Sequence, residues 1–96
     1  MYVRIHFHND DVILAACDDD ILGMTFRGDG MKITVSESFY KGETLGKEAF
    51  VERMKSVSVM NLVGNEVVAI AVEEGYVSPG SIVEIGGVKH AQVVMM

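Results

Sequence analysis

The chain has 96 residues, 49% of them hydrophobic and 23% charged, which is typical of a globular domain and excludes an intrinsically disordered protein. Its net charge of −6 argues against a nucleic-acid binder that depends on phosphate contacts, because Lys and Arg supply that affinity. A single cysteine excludes an intrachain disulfide and a zinc knuckle, and we therefore expect a cytoplasmic location.

The N-terminal part of the chain is predicted to form a β-hairpin. Residues 2–8 alternate strictly between apolar and polar, which predicts a strand with Val3, Ile5 and Phe7 facing the core. A polar turn then leads into residues 12–16, which are continuously apolar, as in a central strand.

Short polar and glycine-rich segments follow the hairpin. The three aspartates at 18–20 are predicted to cap a short helical turn that ends at Gly23. The tight turn Gly28–Gly30 leads into a strand over residues 31–35, and residues 36–43 have the composition of a loop. Gly28–Gly30 is too short for a phosphate-binding loop.

Two central helices are predicted. Thr44 can cap the first, which runs to about Lys55 with an apolar stripe formed by Phe50, Met54 and Val57. The second lies within Val63–Gly75.

The segment Val63–Gly75 is assigned as a core helix from its period. At about 100° per residue, one sector carries Asn65, Glu66, Ala69 and Glu73. The opposite side carries Val63, Gly64, Val67, Val68, Ile70 and Ala71. Asn61 or Asn65 is expected to cap its start, and Gly75 fits the left-handed position after its end.

The C-terminal segment carries the strongest hairpin pattern. Two apolar runs, 82–85 and 88–94, are joined by Gly86-Gly87, which permits the primed turn that matches strand twist. This register pairs Ile85 with Val88, Glu84 with Lys89, and Val83 with His90. His90 then lies on an apolar face.

These elements predict an α+β fold over residues 1–96, as a single small domain. A mixed or antiparallel sheet carries two central helices packed on one face, and the C-terminal hairpin completes it. The helices are expected to pack through Phe50, Met54, Val67, Ile70 and Ala71. No apolar run reaches the roughly 18 residues of a transmembrane helix and no signal peptide opens the chain, so we predict no contact with a membrane.

Two clusters have metal-binding residue types. His6 and His8, with Asp10 beyond them, share one strand face, and imidazoles at that spacing can chelate a divalent metal. Because the spacing supplies no fixed third ligand, a solvated strand face is favoured, and we predict no metal and no cofactor. Cys17 precedes three carboxylates, and their spacing favours a helix cap over a calcium site. Their negative charges are expected to raise the pKa of the thiol, which argues against a reactive thiolate.

Three separate segments supply the candidate ligand-binding residues, which are Tyr40, Lys41, Asn61, Gly64 and His90. An aromatic pair beside a lysine can stack a base or hold a phosphate, or it can simply anchor the core. Asn61 is a candidate helix cap, and His90 is either a partly buried hydrogen-bonded residue or a base or ligand.

The segments Phe39–Gly42, Asn61–Gly64 and Gly87–Ala91, with Cys17-Asp18 and Leu22-Gly23 upstream, resemble a short archaeal family, domain-of-unknown-function family 424. The likeness covers nearly the whole chain. It implies an archaeal cytoplasmic protein, supplies no mechanism, and suggests that the five candidate residues act together. The family usually has proline before the histidine, whereas this chain has Lys89, a departure expected to loosen the hairpin.

Three hypotheses of function follow. The first is a small binding module for RNA or for a protein of the translation or RNA-processing apparatus; the acidic charge favours a protein or ribonucleoprotein partner over bare nucleic acid. The second is an enzyme with His90 as general base and with Asn61 and Lys41 orienting an anionic substrate. The third is a structural subunit that mainly forms homo-oligomers. We expect Tyr40, Asn61 and His90 to line one concavity, with Lys41 at its rim.

Overall fold

The computed structural model describes residues 1–95. The strands are β1 (Tyr2–His8), β2 (Asp11–Cys17), β3 (Thr25–Gly28), β4 (Met31–Thr34), β5 (Glu43–Thr44), β6 (Val59–Val63), β7 (Val83–Ile85) and β8 (Val88–Val94). The α-helices are α1 (Glu37–Tyr40), α2 (Lys47–Met54) and α3 (Asn65–Glu73), and 3-10 turns lie at Asp19–Ile21 and Pro79–Ser81. No helix within residues 1–95 has the length and apolarity needed to cross a membrane.

A mixed six-stranded sheet forms the centre of the molecule. Its strand order is β5-β1-β2-β6-β8-β7, and β3 with β4 forms a separate two-stranded sheet. The central pair β2–β6 is parallel, whereas the other pairs of the large sheet are antiparallel. The predicted α+β fold with a mixed sheet is confirmed.

The C-terminal hairpin has the predicted register. Val83 lies opposite His90, Glu84 opposite Lys89, and Ile85 opposite Val88. Gly86 and Gly87 both have positive φ, 58° and 83°, as a primed two-residue turn requires. Local sequence was sufficient here, because the turn type sets the register of the strands that it joins.

The main core lies between the sheet and the two helices α2 and α3. It contains all five predicted packing residues, which are Phe50, Met54, Val67, Ile70 and Ala71. From the sheet, Leu14 and Leu62 are fully buried against them. Each such side chain contributes roughly 1.5–3 kcal/mol to stability on burial.

Helix α3 shows the predicted faces, but its capping residue was predicted wrongly. The predicted polar sector is exposed and the opposite side is buried, and Gly75 after the helix end has φ 84°. The carboxylate of Asp18 caps the helix instead of an asparagine: Oδ2 accepts the backbone N–H of Glu66 at 3.0 Å and Oδ1 that of Val67 at 2.9 Å. The distant aspartate can reach because the parallel pairing of β2 with β6 brings the ends of both strands together.

Gly64, at the N-cap of α3, makes room for this contact. Its φ is 126°, which L-residues rarely adopt. A Cβ at this position would lie 2.5 Å from Oδ1 and 2.6 Å from Oδ2 of Asp18. Gly64 is therefore required both by its backbone conformation and by the carboxylate packed against it.

Three further boundaries differ from the prediction. Val63 ends β6 rather than beginning a helix. Helix α2 starts at Lys47 after Gly46, because the predicted cap, Thr44, pairs with Tyr2 as part of β5. The segment 36–43, predicted as a loop, contains the single turn α1 and the first residue of β5.

The opposite face of the sheet is partly covered by the β3–β4 hairpin and α1. This layer forms a second core, whose buried members are Ala15, Cys17, Val35, Tyr40 and Val63. The prediction that the polar face of β1 is solvated was therefore wrong for Tyr2, which packs against this core, and for His6, which is half-buried. Conversely Phe7, predicted in the main core, is 79% exposed, because the helical layer does not extend to the end of β1.

The tips of the two glycine-containing hairpins touch each other. A Cβ on Gly28 would lie 2.8 Å from the backbone nitrogen of Gly86, and one on Gly86 would lie 2.8 Å from the carbonyl oxygen of Arg27. Such a close backbone approach tolerates only glycine. The contact positions the β3–β4 hairpin as a wall beside β7 and β8.

We predict that Asp18→Ala lowers the free energy of unfolding by about 1–2 kcal/mol, because α3 loses its side-chain cap. Asp20→Ala is the matched control, since Asp20 is exposed two residues away. Urea denaturation followed by circular dichroism measures both variants. Equal stability of the two variants would contradict the assigned cap.

Candidate functional site

An open concavity of about 590 Å³ lies where the β3–β4 hairpin and α1 face strands β6 and β8. Sites for small ligands typically have volumes of roughly 300–1,000 Å³. Its floor is formed by Asn61 from β6 and by His90 and Gln92 from β8, and its walls include Phe39, Tyr40 and Lys32. Tyr40, Asn61 and His90 therefore lie around one space, and their role as a binding site stays a prediction.

The Tyr40 hydroxyl orients the Asn61 side chain. It donates to Asn61 Oδ1 at 2.6 Å, and Tyr40 is only 4% exposed. With the amide held in this orientation, Oδ1 accepts from Tyr40 and Nδ2 is the group that can donate to a ligand. Asn61 lines the concavity and is only partly buried.

His90 is oriented by the backbone of the neighbouring strand. Its Nδ1 lies 2.9 Å from the carbonyl oxygen of Leu62. A carbonyl can only accept, so Nδ1 carries the proton and Nε2 of the neutral ring carries a lone pair. The ring is half-buried and borders the concavity, which gives the site an acceptor of defined position.

Phe39 forms an aromatic wall supported by His6. The two rings are stacked, with centroids 4.6 Å apart and 14° between their planes. The Nε2–H of His6 also donates to the Phe39 carbonyl at 2.7 Å. Tyr40 meets Phe39 edge-on, at 4.9 Å and 84°, so the aromatic ring is held from two directions.

Among residues 1–95, no carboxylate lines the concavity, although the whole chain carries a net charge of −6. Lys32 supplies a positive charge, and hydroxyls come from Thr34, Ser36 and Ser38. An anionic or hydrogen-bonding ligand would therefore meet no repelling charge among the lining residues. The surface acidity that opposes nucleic acid in general does not extend into this space.

The family model described as "Protein of unknown function (DUF424)" matches residues 6–96. The chain belongs to this family. None of the curated proteins compared with the chain matches it. A crystal structure of an uncharacterized conserved protein from Methanopyrus kandleri is similar, with 26% sequence identity, a TM-score of 0.82, and coverage of 99% of this chain and 92% of that chain.

Three of the five candidate ligand-binding residues border the concavity, and two do not. Tyr40, Asn61 and His90 border the concavity, whereas Gly64 is buried beneath the Asp18 carboxylate and has a structural role. Lys41, predicted at the rim, does not line the concavity. It follows α1 on the way to the edge strand β5, away from the floor.

Lys89, the residue expected to loosen the hairpin, makes two backbone hydrogen bonds. Its backbone N–H donates to Asn65 Oδ1 at 3.1 Å, and its carbonyl accepts the N–H of Gly64 at 2.8 Å. Proline could not make the first of these bonds. These two bonds connect β8 to the start of α3.

Sequence reasoning missed Lys32, Gln92 and the wall hydroxyls. Gln92 could have been found, because it lies two residues after His90 on the same strand face. Lys32 could not, since only the packing of the β3–β4 hairpin brings it to the floor strands. Exposed residues carry no local signal of which cavity they border.

Cys17 and Tyr40 are held in their neutral forms. Burial, followed by the negative charges of Asp18 and Asp19, raises the pKa of the Cys17 thiol to about 11. Burial also raises the pKa of Tyr40 to about 12. The prediction that Cys17 is not a reactive thiolate agrees with this, although burial outweighs the carboxylates as the cause.

The candidate metal ligands on β1 are His6 and His8. Within residues 1–95 no group of three His, Cys, Asp or Glu side chains could hold a metal ion. We predict that the purified protein binds no stoichiometric metal, which elemental analysis checks. One tightly held zinc or nickel per chain, lost in a His6→Ala/His8→Ala double variant, would contradict this.

We predict that the protein loses stability in alkaline solution as Cys17 and Tyr40 ionise. Folding raises both pKa values, so their contribution is complete below pH 9 and is lost as pH rises through about 11 and 12. Thermal unfolding across this range should show a falling Tm, with a smaller decline in Tyr40→Phe. An unchanged decline in the Cys17→Ala/Tyr40→Phe double variant would show that other groups are responsible.

Proposed function

We propose that the protein is a small RNA-binding module whose ligand occupies the concavity between the β3–β4 hairpin and the floor strands. The observation that carries this proposal is a polar, carboxylate-free space in an otherwise acidic chain. Its floor is built from oriented groups, an Asn61 donor and a His90 acceptor. Aromatic and hydroxyl groups surround them, which is the chemistry of single-stranded RNA sites.

The net charge determines what kind of RNA binding this would be. A chain with charge −6 cannot gain affinity from many phosphate contacts, because each requires a Lys or Arg. Affinity would instead come from the bases, with Lys32 neutralising one phosphate. The proposal is compatible with an additional protein partner in a ribonucleoprotein, which would supply the remaining affinity.

We predict that Lys32→Ala weakens binding of a labelled single-stranded RNA of about eight nucleotides by several-fold. For the wild-type protein, the slope of log K against log salt should be shallow. In Lys32→Ala the magnitude of this slope should fall by about 0.7, as expected for the loss of one phosphate contact. Lys47→Ala is the matched control: Lys47 lies on α2, on the other side of the sheet, where it pairs with Glu73 at 3.2 Å. Fluorescence anisotropy at several salt concentrations measures all three proteins.

The two lysine variants decide whether the concavity is involved. If both weaken binding equally, the RNA is held by general charge and the site is wrong. If the wild-type protein shows no binding, the RNA proposal fails as a whole.

A second candidate function, catalysis with His90 as general base, is favoured by one observation. The bond from Nδ1 to the Leu62 carbonyl leaves Nε2 as a positioned proton acceptor beside an anion-compatible space. If the same labelled RNA is cleaved by the wild-type protein but only bound by His90→Gln, the protein is an enzyme. If the wild-type protein binds the RNA and leaves it intact, binding alone is its function toward this ligand.

A further inference from the structure

We propose that the concavity takes one unpaired nucleobase, stacked on Phe39 and hydrogen-bonded at its edge to Asn61 and His90, with its phosphate toward Lys32. The inference rests on the proposed function, because it names the part of the RNA that the concavity recognises. Three independent features of the site carry it.

The first feature is the stacking surface. Phe39 lines the concavity and is half-buried, while His6 covers part of its ring in a nearly parallel stack. Phe39 lines the concavity whereas His6 does not, so part of the Phe39 ring remains accessible from this space. A planar base entering the space can stack on this remaining surface, an interaction that proteins use with single-stranded nucleic acid.

The second feature is the pattern of donors and acceptors on the floor. Asn61 offers Nδ2 as a donor, because the amide is held with its oxygen toward the Tyr40 hydroxyl. Neutral His90 offers Nε2 as an acceptor because its other nitrogen donates to the backbone. Each nucleobase presents a donor beside an acceptor on its Watson–Crick edge, which is the edge that proteins read on unstacked bases.

Gln92 extends this floor. It lies directly opposite Asn61 in the antiparallel pair β6–β8, so the two side chains are neighbours on the same face. Its amide is exposed and can turn either its oxygen or its nitrogen toward a ligand. The floor therefore has two oriented groups and one that can adapt.

The third feature is the position of the charge. Lys32 and the hydroxyls of Thr34 and Ser36 belong to the wall rather than the floor, where the sugar and phosphate of a bound nucleotide would lie. Inorganic phosphate alone does not match this site, because it has no planar face to stack on Phe39. A peptide backbone offers a donor and an acceptor, but it has no aromatic face of its own.

The test compares single-stranded RNA of about eight nucleotides with an abasic ribose-phosphate chain of the same length. Nucleoside monophosphates are the third ligand tested, and they show whether the site prefers a free nucleotide or a base within a strand. Competition against a labelled RNA, measured by anisotropy, ranks the three. We expect the base-containing strand to bind at least roughly tenfold more tightly than the abasic chain, as loss of one base stack implies.

Two variants connect this preference to the named residues. Phe39→Leu should weaken RNA binding roughly tenfold. The matched control is Phe7→Leu, which should leave binding unchanged because Phe7 lies on β1, is 79% exposed and does not line the concavity. Asn61→Asp keeps an acceptor for the Tyr40 hydroxyl but removes the floor donor, and it should weaken binding by a similar factor. Circular dichroism verifies that each variant is folded, and Asn61→Asp provides the test if Phe39→Leu is not.

The outcomes separate this inference from the proposed function. Equal binding of the abasic chain, with Phe39→Leu and Asn61→Asp unchanged, would overturn base recognition and leave RNA binding in place. A nucleoside monophosphate that binds as tightly as the strand would support base recognition and overturn RNA as its source. No binding in any arm would remove both proposals.

Discussion

Asp18 joins β2, β6 and α3, and the rest of the structure depends on this junction. The residue directly follows β2, and its backbone N–H donates to the carbonyl of Val63 at the end of β6. Its carboxylate caps α3. Gly64 leaves the space for the carboxylate, and its own N–H bonds to Lys89 in β8. The central sheet and the helical layer are therefore connected by this polar contact. Two backbone N–H groups at the start of α3, which have no partner within the helix, are satisfied by the residue that follows β2.

The concavity depends on the second layer that this sheet carries. The β3–β4 hairpin is held at its tip by the glycine contact with the β7–β8 turn and at its base by the second core around Cys17 and Val35. Tyr40, a member of that core, orients Asn61, and the backbone of β6 orients His90. Asn61 and His90 are thus positioned by partly buried hydrogen bonds, which is a condition for selecting a ligand by geometry.

Charge distribution separates the concavity from the rest of the surface. Asp and Glu outnumber Lys and Arg by 14 to 8, yet none of the acidic residues lines this space. Long-range electrostatic attraction to a polyanion is therefore weak, while short-range hydrogen bonding and stacking within the site are unhindered. The proposed binding would therefore depend on contact chemistry within the concavity.

The sequence by itself determined the features that repeat with a short period or depend on a turn. The faces of α3, the apolar stripe of α2 and the register of β7 with β8 follow from spacings of 3.6 and 2 residues and from Gly86-Gly87. Three of the five site candidates, Tyr40, Asn61 and His90, were predicted because they are polar residues in apolar surroundings, and they border one concavity. Only the tertiary structure decided that Asp18 caps α3, that Lys32 rather than Lys41 borders the concavity, and that both faces of β1 are partly covered. Each of these features depends on contacts between segments that are far apart in the chain. The packing of the whole fold determines which distant segments meet, so the local sequence carries no pattern that predicts these contacts.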